Sequence, residues 1–207
     1  MTTRENVAEH DPPTEQGEAR SWDAIAVSFA GRIAQLAQHR RGDLAELRRM
    51  DPEAPNAAVF WRLLAEEDLL CHGSAVERKW ALVLHGIALM TPTNVGDGDA
   101  RTAHNGYMPV GRALFLGREV QPASGFYSET RLNRLLTARE EMLRTLLARM
   151  FRMLAAGSVS FNWREMARFI FNDGYDEVAA EEARRRIARA YYQAERHNAS
   201  ASIDQDN

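Results

Sequence analysis

Arginine is the residue type on which chemistry in this chain could rest. Of its 26 basic residues, 25 are Arg and only Lys79 is Lys. A planar guanidinium binds phosphate through two parallel hydrogen bonds and stacks on bases, so the bias suits nucleic acid. A GC-rich genome would produce the same bias. The net charge of −3 argues weakly against a polyanion partner, but the charge is unevenly spread. Residues 101–172 carry 11 basic and 5 acidic groups, net +6. Residues 1–20 carry 2 and 5, residues 21–100 carry 8 and 11, and residues 173–207 carry 5 and 8, each net −3. A basic stretch is therefore flanked by acidic ones.

Catalysis needs converging groups, and the familiar sets are missing. The sequence has no G-x-S-x-G elbow, no H-E-x-x-H and no pair of cysteines for zinc. Cys71 and His72 are adjacent, and on a helix their side chains would diverge. The loop from Asn94 to Asp99 is superficially like a phosphate or calcium loop. It lacks both the Gly-Lys-Ser/Thr of the first and the Glu at position 12 of the second, so a flexible turn is expected. His85 and His104 have no acidic partner at a useful spacing, and His85 reads as a core histidine. Glu66-Glu67, Glu140-Glu141 and Glu181-Glu182 read as solvated neighbours that do not converge on one atom. The expectation is a protein that is not an enzyme, with no cofactor and no metal.

The elements that must position the arginines are helices. The chain's 207 residues fit one domain or two small lobes, and 45% apolar residues suffice for a core. No apolar run reaches the ~18 residues of a membrane span. The acidic N-terminus is unlike a signal peptide, and the single cysteine, Cys71, does not suggest secretion. The expected location is the cytoplasm. Ser21 can cap a helix to about Gln38, and Gly42-Asp43 restarts a short one to Met50. Asn56 is expected to cap a helix over 57–67, and Ser74 opens another to about Met90. Further helices are expected at Val110–Leu116, Ser128–Leu136 and about 138–155. Two more run from Trp163, capped by Asn162, to Phe171, and from Asp176 to about Glu195. In the helix at 138–155, Met142, Leu143, Leu146, Leu147, Met150, Phe151 and Leu154 share one broad face. Arg144, Arg149 and Arg152 fall on its flanks or behind it. The reading is an all-α fold of about eight to nine helices with no sheet, arranged as two small helical bundles packed together. A disordered acidic arm (1–20) precedes an N-terminal bundle (21–108) with a mobile loop at 91–109. A C-terminal bundle (109–196) and a disordered tail (197–207) follow.

Six segments then occur in a telling order. They are Leu44-Ala45-Glu46-Leu47-Arg48-Arg49, Phe60-Trp61-Arg62-Leu63-Leu64, and Val110-Gly111-Arg112-Ala113-Leu114 after a variable loop. Next come Ser128 to Leu136 leading into the long helix with Arg149, then Asn162-Trp163-Arg164-Glu165-Met166-Ala167-Arg168, and last Ile187-Ala188-Arg189-Ala190-Tyr191-Tyr192. In this order, over about residues 40–193, the chain resembles the CasB family, the small subunit of the type I-E CRISPR Cascade complex. It departs at Asn162, where the family often has Asp, and at Ala138-Arg139-Glu140, where the family often shows Ala-Asp-Arg. The acidic arm looks like an extension.

The resemblance implies a non-catalytic subunit, two copies of which pack head to tail beside other Cascade subunits. It implies contact with crRNA and with the single-stranded target DNA of the R-loop, cleavage being left to a separate nuclease-helicase. On the same basis Arg48, Arg49, Arg112, Arg131 and Arg149 are expected on the nucleic-acid surface, with Arg118, Arg134, Arg144 and Arg152 as a second group. Arg131 could instead pair with Glu129 or Glu141. Arg62 and Arg168 could snorkel from the core. Phe60, Trp61, Trp80 and Trp163 read as core. Two other functions fit the residues less closely. One is a protein–protein scaffold in the same complex, favoured by the negative charge. The other is an unrelated helical regulator using Asn162–Tyr175 and Arg184-Arg185-Arg186 as a helix–turn–helix.

Overall fold

The computed structural model describes residues 21–93, 101–117 and 126–205. The expected arm at 1–20, the loop residues 94–100 and Arg118 lie outside them. The described chain is nine α-helices: α1 (Trp22–His39), α2 (Arg41–Arg49), α3 (Ala58–Glu66), α4 (Gly73–Met90), α5 (Val110–Leu116), α6 (Glu129–Thr137), α7 (Glu140–Ala156), α8 (Trp163–Asn172) and α9 (Glu177–Gln205). The described residues form no sheet; the one bridge pairs His104 with Phe161. No helix among them is long and apolar enough to cross a membrane.

Helix α4 is the central element. Trp80 through Ala88 are all buried, so this helix has no polar face over that stretch. A helix apolar all round must be surrounded, and α1, α2, α7 and α8 pack on it. Gly86 marks the closest approach: a Cβ there would lie 2.6 Å from Phe151 and 2.8 Å from Trp163. Helix α1 lies along α8, with Trp22 stacked on Phe171 at 5.0 Å between ring centres. Helices from both sides of residue 108 thus share one continuous hydrophobic cluster.

Local chemistry sets the helix ends. The Asn162 side chain accepts from the Arg164 N–H at 3.0 Å, and Asp176 Oδ1 accepts from the Ala179 N–H at 3.0 Å. The Ser21 and Ser128 side chains make no capping bond. Helix α3 begins without help from Asn56; Glu46 Oε1 of α2 accepts from the Ala58 N–H instead. Asp173 joins three elements: it accepts from the Glu140 N–H that opens α7 and from Arg184 of α9, while Lys79 of α4 donates to its carbonyl oxygen.

Several expectations change. Trp61 is 36% exposed rather than core, whereas Phe60, Trp80 and Trp163 are fully buried. Met142 is 61% exposed, although the rest of its stripe faces inward. Cys71 and His72 sit in the turn before α4, not on a helix, and converge to 3.5 Å between Sγ and Nδ1. Helix α9 runs to Gln205, past Glu195, because no Gly or Pro follows Gly174 and alanines at 199 and 201 favour helix. The described part of the 91–109 loop is tied down. Asn105 N–H donates to the Phe161 carbonyl at 2.9 Å, and Asn162 N–H to the Met108 carbonyl at 2.8 Å.

Candidate nucleic-acid interface

The expected site arginines divide into two kinds. Arg48 and Arg144 are engaged inside the protein. Arg48, half-buried near the end of α2, donates from Nε to the Ala88 carbonyl at 2.8 Å and from Nη2 to the Thr91 carbonyl at 2.6 Å. Those oxygens belong to the last turn and C-cap of α4, where a helix leaves carbonyls without partners. Burial lowers the Arg48 pKa from its ordinary value. Arg144 grips Glu53 with two bonds, Nε to Oε1 at 2.6 Å and Nη2 to Oε2 at 3.1 Å. The hydrogen bonds to that carboxylate raise its pKa.

The other described members point outward. Arg49 ends α2, Arg112 lies on α5, Arg131 and Arg134 lie on α6, and Arg149 and Arg152 lie on α7; all six are exposed. None of the six forms an ion pair among the described residues. Arg131 and Arg134, like Arg149 and Arg152, are three residues apart and so share a helix face. Arg131 Nη1 rests 3.5 Å from Met153 Sδ on α7, beside Arg152, and not on Glu129 or Glu141. Glu129 accepts from the Tyr192 hydroxyl instead. The Arg131–Met153 contact brings α6 and the second half of α7 together.

His85 ties the same region to α2. Its Nδ1–H donates to the Leu47 carbonyl at 3.0 Å, one residue before Arg48. Burial foremost, and also the charge of Arg152, keeps its pKa below the ordinary histidine value, against the Leu47 hydrogen bond. Arg48 and Ala155, three residues beyond Arg152, line one open cavity of about 870 Å³ with Arg101 and the hydroxyl residues Thr102, Ser158 and Ser160. Arg48 of α2 and Ala155 near the end of α7 thus line one cavity, and the contact of Arg131 with Met153 sets α6 against the same end of α7. Arg112 stands on neighbouring α5, whose end pairs with Tyr127 just before α6 through the Leu114 carbonyl.

Sequence reasoning missed two things here. Arg101, in the variable loop, shares the cavity with Arg48. Arg164 and Arg168 of α8 and Arg186 and Arg189 of α9 line a second groove of about 420 Å³. Their four- and three-residue spacings were visible as shared faces. Asp23, buried at the start of α1, holds Arg168 at 2.8 Å and Arg164 at 3.5 Å. Arg168 is thus exposed and paired, not snorkelling from the core. The helix–turn–helix reading loses its central cation, because Arg184 is buried against Asp173 at 2.5 Å and over the Phe169 ring.

The polar groups that sequence and burial single out among the described residues are engaged in structure. His104 Nδ1 accepts from the Trp163 N–H at 3.1 Å, which fixes it as a neutral acceptor at the start of α8. Buried Glu165 uses Oε2 to accept from the Val110 N–H that opens α5. Cys71 and His72 are two ligands where a structural zinc site uses four.

These features define an all-helical protein with outward arginines on adjoining helices and no assembled reaction centre among the described residues. The family described as CRISPR-associated protein Cse2 matches residues 43–192, and the chain belongs to it. Membership makes it the small subunit of a type I-E Cascade, a multi-subunit CRISPR complex. No curated protein and no solved structure matches the chain.

Proposed function

We propose that this subunit grips nucleic-acid backbone without catalysing a reaction and thereby stabilises the R-loop during recognition of invading DNA in the cytoplasm. Arg49, Arg131, Arg134, Arg149 and Arg152 form the gripping surface, and Arg112 extends it. The observation that carries this reading is that these exposed guanidiniums lack carboxylate partners among the described residues, while Arg144 and Arg48 are held internally. An unpaired, exposed guanidinium keeps its donors for phosphate.

The energetics fit the task. Opening the target exchanges DNA pairing for RNA–DNA pairing at nearly balanced cost, so a few phosphate contacts decide the outcome. Such contacts carry no sequence information, which suits a complex whose specificity lies in its guide RNA. The partners are the other Cascade subunits, a second copy of the chain, crRNA and single-stranded target DNA. A tagged pull-down from the native cell tests this. It should recover other Cascade subunits with a discrete small RNA carrying repeat sequence. Recovery of the protein alone, or with promoter duplex, would count against the reading.

A further inference from the structure

The groove between α8 and α9 is a second cationic surface, separate from the one proposed to hold nucleic acid. Arg164 and Arg168 form one wall and Arg186 and Arg189 the other. All four are exposed. Two of them already hold a carboxylate, that of Asp23. Arg189 pairs with Glu182 at 3.6 Å, and Arg186 forms no ion pair among the described residues. Asp23 thus holds two of the groove's arginines, and the carboxylate that lines the groove itself is the buried Glu165.

Asp23 stands two residues after Ser21, where the described chain begins. The segment before it, residues 1–20, carries Glu5, Glu9, Asp11, Glu15 and Glu18 against Arg4 and Arg20. An extended chain spans at most about 3.5 Å per residue, so Glu18 lies within about 10 Å of Ser21 and Glu15 within about 20 Å. Both can approach the groove from an anchor that already holds two of its arginines. Tethering holds these carboxylates near the arginines at an effective concentration on the order of millimolar, without any new partner.

We infer that the acidic segment 1–20 docks in cis into the α8–α9 arginine groove, continuing the contact that Asp23 begins. A groove filled by the chain's own carboxylates is closed to phosphodiesters. Nucleic acid is then directed to the α2–α6–α7 surface, and the subunit's two cationic faces are kept from competing for one strand.

Disulfide trapping in the full-length chain tests this without nucleic acid, so its result is independent of the R-loop reading. In a Cys71→Ser background, Glu15→Cys is combined with Gln193→Cys, an exposed position lining the groove. The control combines Glu15→Cys with Asn133→Cys, exposed on α6. Docking in cis predicts a monomeric disulfide forming at least about tenfold faster than the control. High salt, or Arg186→Glu with Arg189→Glu, should reduce the rate to the control's. Equal rates for the two pairs would overturn the proposal. A disulfide-linked dimer would overturn it in favour of a second copy as occupant. Control-rate trapping together with loss of oligonucleotide affinity in the Arg186→Glu, Arg189→Glu variant would assign the groove to a nucleic-acid strand.

Discussion

Gly111 lies against the backbone of Ile187, so close that a Cβ on it would stand 1.9 Å from the Ile187 carbonyl oxygen and 2.7 Å from the Tyr191 nitrogen. Two of the sequence segments that mark the family, Val110–Leu114 and Ile187–Tyr192, therefore meet in space. Burial of Gly111 against α9 turns the next residue, Arg112, outward. The Tyr191 hydroxyl closes the same junction by donating to the Tyr127 carbonyl at 2.8 Å.

Replacing Gly111 with Ala should therefore force α5 off α9. Because the atoms met are backbone, relief is difficult, and the expected loss is about 3 kcal/mol in urea unfolding. Gly31, in the middle of α1, has nothing within 4 Å of its added Cβ. Gly31→Ala should instead be neutral or stabilising, by up to about 1 kcal/mol.

Arg48 and Arg144 should behave as structural residues. Arg48→Ala leaves the carbonyls of Ala88 and Thr91 without their donor, and a loss of about 1.5–3 kcal/mol is expected. Arg144→Ala breaks a pair whose Glu53 side is 45% exposed, so the loss should stay under about 1 kcal/mol. In Arg144→Ala, affinity for single-stranded DNA should change by less than about twofold if its guanidinium is committed to Glu53. Chemical denaturation and fluorescence anisotropy read the two effects separately.

Acid should weaken the fold through two histidines. Burial is the main cause lowering the pKa of both His85 and His104, with Arg152 and Arg164 contributing respectively. A histidine whose folded pKa lies below its unfolded one binds more protons when unfolded. Its neutral form contributes fully above the ordinary value of 6.5, and that contribution falls as pH drops below it. Melting temperature should therefore decline below about pH 6.5, and His104→Asn should flatten that decline. An equal slope in the variant would remove His104 from the account.

The helices were legible because apolar stripes recur at helical spacing. The five buried residues of α7, Leu143, Leu147, Met150, Phe151 and Leu154, all fall on the expected face. Asn162 and Asp176 cap as their types suggest. What failed was local detail that neighbours decide. In helix α3 the Phe60 and Trp61 rings meet edge to face at 4.8 Å, but only Phe60 is enclosed by the core, and Trp61 stays 36% exposed on its outer side. Cys71 and His72 converge because a turn, not a helix, carries them. Within the site, sequence placed the cations but not their partners. Nothing local to Arg144 indicates that it will meet Glu53, 91 residues away. Nothing local to Arg48 marks it as the partner of the α4 carbonyls. The α8–α9 arginines were equally visible as a pattern. Only the fold shows that α8 and α9 face each other across a groove.

The central claim is that the outward arginines hold nucleic-acid backbone. Its most direct test is the salt dependence of single-stranded DNA binding by the wild type and by an Arg49→Glu, Arg149→Glu, Arg152→Glu variant, with circular dichroism confirming unchanged helicity. Each lost contact should reduce the slope of log affinity against log salt by about 0.7, so three lost contacts should reduce it by about 2. The account predicts that reduction together with weaker binding at low salt. Equal affinity and equal slope for the two proteins would contradict it.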